Sequence, residues 1–158
     1  MQKGTRGEAS VRIEAPPEKV YDVVTDVTRM GEWSPETTSA EWVDGATGPE
    51  VGARFKGRNR NRLARWSTTP RVVVAEPGQE FAFVTSWLGK DNTTWTYRLA
   101  PDGSGTRVTE SFETLVDVPW YFRASERWLM GIKDRQADLE ANMATTLERL
   151  KAAIEGSA

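Results

Sequence analysis

The chain has 158 residues, enough for one domain with a buried core, and its 21 Lys and Arg residues against 23 Asp and Glu residues give a net charge of -2. This balance gives no reason to expect nucleic acid as a partner. The absence of both His and Cys excludes Ser-His-Asp and Cys-His catalysis, ordinary zinc sites and disulfides. Without a signal peptide or an apolar run of about twenty residues, a cytoplasmic protein with no stable membrane insertion is expected.

The first part of the chain predicts one strand and two short helices. Residues 8–14 alternate apolar and polar side chains, which is the period of a half-buried strand. In residues 15–34, Pro17 suits a first helical turn and four valines recur at helical spacing. Two short helices are therefore expected, and they should end before Pro35.

The middle of the chain, residues 36–116, predicts six successive antiparallel strands joined by turns. Residues 64–76 are predicted as one continuous strand. Residues 88–92, with the sequence LGKDN, are predicted as a turn.

The last part of the chain predicts a short helix and a longer one. After Pro119, apolar residues recur at steps of three and four, and the longer helix should begin near Asp134 and end at Gly156. Helices segregated from a run of hairpin strands indicate an α+β fold, here as a single domain over residues 1–158. One helix of about twenty residues cannot fill the concave face of so long a curved sheet, so an internal cavity is expected.

The order of these elements resembles the START-like or Bet v-type helix-grip superfamily, especially its bacterial polyketide cyclase/dehydrase and lipid-transport branch. The stretches that carry the resemblance are VRIEAPPEKVYDVVTDVTRMGEWSP, GPEVGARFKGRNR, GTRVTESFE and MATTLERLK. The resemblance implies a seven-stranded antiparallel sheet curved around a long C-terminal helix, with a hydrophobic tunnel between them. Some members bind or carry lipids, sterols or hormones, and others cyclise or dehydrate polyketides. Because no residue set is shared by all members, the resemblance implies no catalytic residue.

The segment GARFKGRNRNRLARW, residues 52–66, contains six basic side chains and no acidic one. A count of charges alone suggests a polyanion site, but the period of a strand divides the segment between two faces. The aromatic face should point inward, and the charged face should stay in solvent, where Glu41 is expected near Arg54. The outward row is Arg54, Lys56, Arg58 and Arg60.

The same alternation predicts which side chains face the cavity, together with the apolar face of the last helix. The predicted ligand-binding residues are Phe55, Asn59, Trp66, Phe81, Phe83, Thr85, Trp95, Tyr97, Glu110, Phe112, Leu139 and Met143.

Glu110 is the candidate catalytic residue. A carboxyl group among apolar and aromatic neighbours is costly to ionise, so its pKa should rise. One interpretation makes Glu110 a general acid or base for enolisation or dehydration, with Asn59 and Tyr97 donating hydrogen bonds to a carbonyl or hydroxyl group. The other makes Glu110 a structural group bonded to an inward Arg or Tyr.

Two functions remain open at this point. The first is a protein that binds, and transports or sequesters, a hydrophobic small molecule such as a lipid or polyketide. The second is an enzyme of the polyketide cyclase or dehydratase type that uses Glu110. Neither function calls for a cofactor or a metal ion, and no DxDxDG calcium loop or phosphate-binding loop occurs in the sequence.

Overall fold

Strand β1 (Arg6–Ile13) is the first element of the fold in the computed structural model, which describes residues 1–156. The last two residues of the predicted domain 1–158 lie outside the described residues. β1 follows the apolar alternation of the sequence and buries Val11 and Ile13. The predicted first strand is therefore confirmed.

Two short helices follow β1, as predicted. Helix α1 (Pro17–Val24) has proline at its first position, where the missing N–H would have had no partner within the helix. A 3₁₀ helix (Val27–Glu32) comes next. Asp26 caps this helix, because its carboxylate accepts a hydrogen bond from the backbone N–H of Thr28 at 3.2 Å.

One curled antiparallel sheet contains every strand of the described residues. After β1 come β2 (Thr37–Val43), β3 (Arg54–Asn61), β4 (Ala64–Thr68), β5 (Arg71–Glu76), β6 (Glu80–Trp87), β7 (Lys90–Asp102) and β8 (Gly105–Thr114). The strand order is β1-β8-β7-β6-β5-β3-β2, and β4 pairs with β3. The predicted α+β fold, with its antiparallel sheet, is confirmed.

The strand predicted over residues 64–76 is divided near Pro70 into β4 and β5. Proline has no N–H to donate to the ladder, although the Pro70 carbonyl still accepts a hydrogen bond from the N–H of Phe55 at 3.2 Å. Both β4 and β5 pair with β3, so the two pieces continue along the same neighbour. The sheet therefore has eight strands, where the sequence predicts seven.

The hairpin between β6 and β7 is tighter than the predicted turn over residues 88–92. Only Leu88 and Gly89 lie between the strands, and their φ angles are 51° and 75°. Two positive φ angles in a two-residue turn match the twist of the flanking strands. An exposed leucine therefore stands at the tip of this hairpin.

Helix α3 (Arg135–Gly156) packs against the sheet and is preceded by two short helical pieces. These are α2 (Trp120–Ser125) and a π-helical turn (Glu126–Met130). The side chain of Asp134 accepts a hydrogen bond from the N–H of Ala137 at 3.1 Å, so the predicted start near Asp134 is confirmed. Within residues 1–156, no helix combines the length and the apolar character needed to cross a membrane.

The two halves of α3 pack very differently. Its C-terminal half contributes three apolar residues from 147 to 154 to the main core. Both short N-terminal helices contribute apolar residues to the same core. The N-terminal half of α3 buries only Leu139 and Met143, which form a small separate cluster with Phe112. The core therefore fills one end of the space between helix and sheet and leaves the other end unfilled.

The C-terminal half of α3 should dominate the stability of the fold. Leu147 is 1% exposed within the main core, and we expect Leu147→Ala to lower the free energy of unfolding by about 2–5 kcal/mol, because a buried cavity replaces the lost contacts. Urea denaturation measures this change. The matched control is Glu148→Ala on the exposed face of the helix. Equal losses for the two variants would contradict the packing described above.

Candidate functional site

A cavity of about 1060 Å³ lies between the sheet and the N-terminal half of α3, and we call it the sheet–helix cavity. Its wall is built by strands β3, β4, β6, β7 and β8, by α3, and by the segment of residues 115–130. The wall is mainly apolar. The unfilled end of the core is thus a space of the size that small-molecule sites have, on the order of 300–1,000 Å³.

Strand alternation and the apolar face of α3 together place most of the predicted ligand-binding residues on the wall of this cavity. They are Phe55, Asn59, Trp66, Phe83, Thr85, Trp95, Tyr97, Glu110, Leu139 and Met143.

Phe81 and Phe112 face inward but do not line the cavity. Phe81 is wholly buried in the main core, where its ring centroid lies 5.7 Å from that of Phe83. The Phe112 ring lies over Gly7, since a Cβ atom at Gly7 would come within 2.6 Å of it. Alternation along a strand identifies the inner face, but it does not tell which part of that face the helix covers.

Two aromatic side chains, Phe55 and Phe83, form one side of the wall, and a third, Trp42, supports them from behind. The rings of Phe55 and Phe83 meet edge to face, with centroids 5.1 Å apart, and Trp42 packs on Phe55 in the same way at 5.6 Å. Edge-to-face contacts of this kind hold the rings in fixed orientations. The aromatic surface therefore suits a flat or ring-containing molecule.

The basic row on the outer face of β3 is separate from the cavity. Arg54 forms an ion pair with Asp44 at 3.4 Å, and Arg58 forms one with Glu41 at 3.6 Å. The expected approach of Glu41 to Arg54 is wrong, because the register of β2 and β3 places Glu41 opposite Lys56, next to Arg58. One acid on β2 and one in the turn after it thus pair with two of the four cations of this row.

Glu110 and Tyr97 form a buried polar pair on the cavity wall. They face each other across β7 and β8, and the Tyr97 hydroxyl donates a hydrogen bond to Glu110 Oε1 at 2.9 Å. Glu110 is only 6% exposed, and its Oε2 atom has no hydrogen-bond partner among residues 1–156. The other inward residue considered with them, Asn59, belongs to β3, which is not a neighbour of β7 or β8, and it accepts a hydrogen bond from Thr37 at 2.8 Å.

Burial controls the protonation of this pair. Loss of solvation raises the pKa of Glu110 from its ordinary 4.5 to about 8, and the hydrogen bond from Tyr97 opposes this rise only in part. Burial, followed by the nearby carboxyl group, also raises the pKa of Tyr97 well above its ordinary value. At neutral pH both groups are therefore protonated, and each can donate one proton to a hydrogen bond.

A second polar cluster joins the start of α3 to the loop before β2. The Arg135 guanidinium contacts Glu36 through two nitrogens at 2.5 and 3.1 Å, and it contacts Asp138 at 2.7 Å. Glu126 of the π-helical turn lies 3.8 Å from Arg135, and desolvation raises the pKa of this carboxyl group. The acids that surround Arg135 already occupy its donors, so this cluster ties elements together.

The mouth of the cavity carries three leucines that the sequence predictions missed. Leu63, Leu88 and Leu129 line the cavity and are also exposed to solvent. The ring of Trp87 meets that of Phe122 edge to face at 4.7 Å, which connects the β6–β7 hairpin to α2. A leucine at or beside a hairpin turn was the available signal, because such positions normally carry polar residues.

These features define a helix-grip protein with an internal cavity, and the sequence comparison gives its family. The chain belongs to the polyketide cyclase/dehydrase and lipid transport family, whose model matches residues 5–155. No curated protein sequence matches the chain.

Several solved structures share this fold. Cgl2372 from Corynebacterium glutamicum, a polyketide-cyclase-like protein, is 33% identical over 99% of this chain and 95% of its own, with a TM-score of 0.64. TTHA0849 from Thermus thermophilus is 20% identical over 98% and 99% of the two chains, with a TM-score of 0.70. DynU16, a protein in the dynemicin biosynthetic locus, is 20% identical over 96% of this chain and 48% of its own, with a TM-score of 0.65. The last two similarities concern the fold alone.

The raised pKa of Glu110 makes stability depend on pH. Between pH 4.5 and about 8, the unfolded chain releases a proton that Glu110 retains in the folded state, so the free energy of unfolding should fall as the pH rises through this window. The decline attributable to this group is at most about 1.4 kcal/mol per pH unit. Above pH 8 it should level off.

Urea denaturation of the wild type and of Glu110→Gln at several pH values from 5 to 9 isolates this contribution, because the glutamine cannot ionise and all other groups are shared. We expect the stability of Glu110→Gln relative to the wild type to increase across the window. Parallel pH profiles would show that Glu110 is ionised in the folded protein.

Proposed function

We propose that this protein binds a hydrophobic small molecule, such as a lipid or a polyketide, in the sheet–helix cavity and carries or sequesters it. The observation that carries this proposal is the cavity of about 1060 Å³ itself, unfilled by core side chains. Binding of a hydrophobic ligand removes the mainly apolar wall from water, which is favourable for the free energy of binding. The aromatic surface around Phe55 and Phe83 suits a flat ligand.

The family description, which includes both polyketide processing and lipid transport, supports this choice of ligands. We treat residues 1–158 as a single ligand-binding domain, and we place its function in the cytoplasm because a chain without cysteine suits a reducing compartment.

A side chain added at Gly57 tests this proposal. Gly57 lines the cavity, and a Cβ atom there would touch only the side chains of Thr37 and Thr68, both at 3.8 Å. Gly57→Leu should therefore fold, since β-strands favour larger residues than glycine, while its side chain takes up cavity volume. We expect the affinity for the neutral fluorescent probe N-phenyl-1-naphthylamine to fall by about tenfold.

The matched control is Arg58→Leu, which places the same side chain on the outer face of β3. It should bind the probe like the wild type. Native mass spectrometry and solvent extraction of the purified protein would identify any molecule it already carries. Equal affinities of the two variants, or no binding of the probe by the wild type, would refute binding in this cavity.

An enzyme of the polyketide cyclase or dehydratase type is the second candidate, and the protonated Glu110 carboxyl on the cavity wall favours it. In the dehydration of a β-hydroxyketone, Glu110 would give its proton to the departing hydroxyl group, which leaves as water. The resulting carboxylate would then take the proton from the carbon next to the ketone. The proton balance closes, and Glu110 returns to its starting form.

For this second function, Glu110→Gln should lower kcat at least about a hundredfold on a β-hydroxyketone polyketide analogue, because an amide can neither give nor take the proton. The ultraviolet absorbance of the conjugated enone product measures turnover. Glu113→Gln, on the same strand but paired with Arg6 in solvent, is the control and should retain full activity. Unchanged turnover by Glu110→Gln would eliminate this mechanism.

A further inference from the structure

The buried Glu110 carboxyl leaves one hydrogen-bonding position unused, and that position bears on the chemistry of the ligand. Tyr97 donates to Oε1, so Oε1 acts as the carbonyl oxygen of the neutral acid and Oε2 carries the proton. This O–H group has no acceptor among the described residues. A buried donor without a partner costs about 1–3 kcal/mol, so an acceptor supplied by a ligand would be stabilised here.

The surroundings of Glu110 favour a neutral acceptor. Tyr97 faces it from β7 and Ala9 lies opposite it on β1, while the residues of α3 that line the cavity and lie beyond the Arg135 cluster carry no charge. No charged group shifts the pKa of Glu110. Arg135, the cation of α3 on the cavity wall, is engaged by Glu36 and Asp138. A ligand carboxylate would therefore lack a cation at this end of the cavity.

We propose, on the basis of the binding function above, that the ligand is a neutral hydrophobic molecule with a carbonyl oxygen, and that Glu110 donates a hydrogen bond from Oε2 to that oxygen. Ketones, esters and quinones belong to this class. Tyr97 then acts as a positioning residue, because its hydrogen bond holds the carboxyl group in one orientation. The aromatic wall binds the body of the ligand, and Glu110 selects its polar atom.

Benzophenone and diphenylmethane are a matched pair of probes for this proposal, because they differ only by a carbonyl in place of a methylene group. Displacement of N-phenyl-1-naphthylamine gives the affinity of each. At pH 6 we expect benzophenone to bind about tenfold more tightly than diphenylmethane. At pH 9.5 this preference should disappear, because Glu110 has then lost the proton it donates.

Two variants separate the hydrogen-bond donor of residue 110 from the shape of its side chain. Glu110→Gln keeps an N–H donor and should retain the preference at both pH values, whereas Glu110→Leu should lose it at both while still binding diphenylmethane. Glu113→Gln, outside the cavity, should behave like the wild type. Equal binding of both probes by the wild type at pH 6 would overturn the proposal and leave the binding function intact. A wild type that binds none of the probes would overturn both.

A second proposal rests on a different observation, the exposed surface around the mouth of the cavity. Leu63 and Leu88 are each 79% exposed at hairpin tips, and Trp128 is 87% exposed within the π-helical turn. These pieces are connected, since the N–H of Leu63 donates to the carbonyl of Leu129 at 3.3 Å. The mouth is thus surrounded by solvent-exposed apolar side chains, and exposed apolar patches of this kind mark interaction surfaces.

Basic side chains interleave with this apolar surface. Within residues 1–156 none of the following makes an ion pair: Arg62, Arg65, Lys90, Arg123, Arg127 and Lys133. The acids of the same segments are fewer, and some of them are paired with cations outside this surface. Asp91 bonds to Arg71 and Ser86, and Glu126 lies 3.8 Å from Arg135. Asp117 and Asp134 accept backbone N–H groups and make no ion pair within residues 1–156, so six unpaired cations stand against two unpaired acids.

We infer that this mouth surface docks on an anionic lipid bilayer, where exposed aromatics enter the interface and the free cations meet lipid phosphates. Sedimentation with phosphatidylcholine vesicles that do or do not contain 30% phosphatidylglycerol tests it. We expect binding to the anionic vesicles that is at least about tenfold stronger and that weakens with added salt.

Trp128→Ser and Arg127→Glu should each reduce vesicle binding severalfold without changing the affinity for N-phenyl-1-naphthylamine. Arg58→Glu makes the same charge change on the outer face of the sheet, away from the mouth, and should bind vesicles nearly as well as the wild type. Absence of binding to anionic vesicles at low salt, or an equal loss for Arg58→Glu, would overturn this inference.

Discussion

The packing of α3 on only part of the sheet is the constraint on which the site depends. A helix offers one apolar stripe, and here the stripe from Leu147 to Ile154 packs with the two short N-terminal helices to complete a core. The first half of the same helix buries only Leu139 and Met143, in a small cluster with Phe112. The main core thus lies at one end of the space between helix and sheet, and the cavity occupies the other end.

Glu110 shows how that arrangement tolerates a group that is unfavourable for stability. A glutamate that must remain protonated up to about pH 8 lowers the stability of the folded state at neutral pH, and an apolar residue there would not. Only a site next to the cavity can recover this free energy, because a ligand can then provide the missing partner. Tyr21, whose hydroxyl is also buried without a partner among residues 1–156, lies away from the cavity wall and offers no such opportunity.

Much of the fold and of the inner face could be predicted because both depend on local periodicity. The alternation of Phe55, Gly57 and Asn59 with basic residues correctly separates the two faces of β3. Alternation does not tell which inward side chains are covered by other core residues. It therefore assigns Phe81 and Phe112 to the cavity, although both are packed in buried clusters. The cluster of Glu36 and Arg135 joins residues about a hundred positions apart, and no local pattern indicates such a pair.

The proton chemistry of the cavity favours binding over catalysis as its first role. A dehydration needs one group that gives a proton and one that takes a proton, and Tyr97 cannot take one because its pKa lies well above the neutral range. Glu110 would therefore have to perform both steps in turn, and no second base contacts it among the described residues. Holding a carbonyl oxygen requires only the single donor that the structure provides. The same acid, tethered by the same tyrosine, is thus complete as a recognition element, whereas as a catalyst it must act alone.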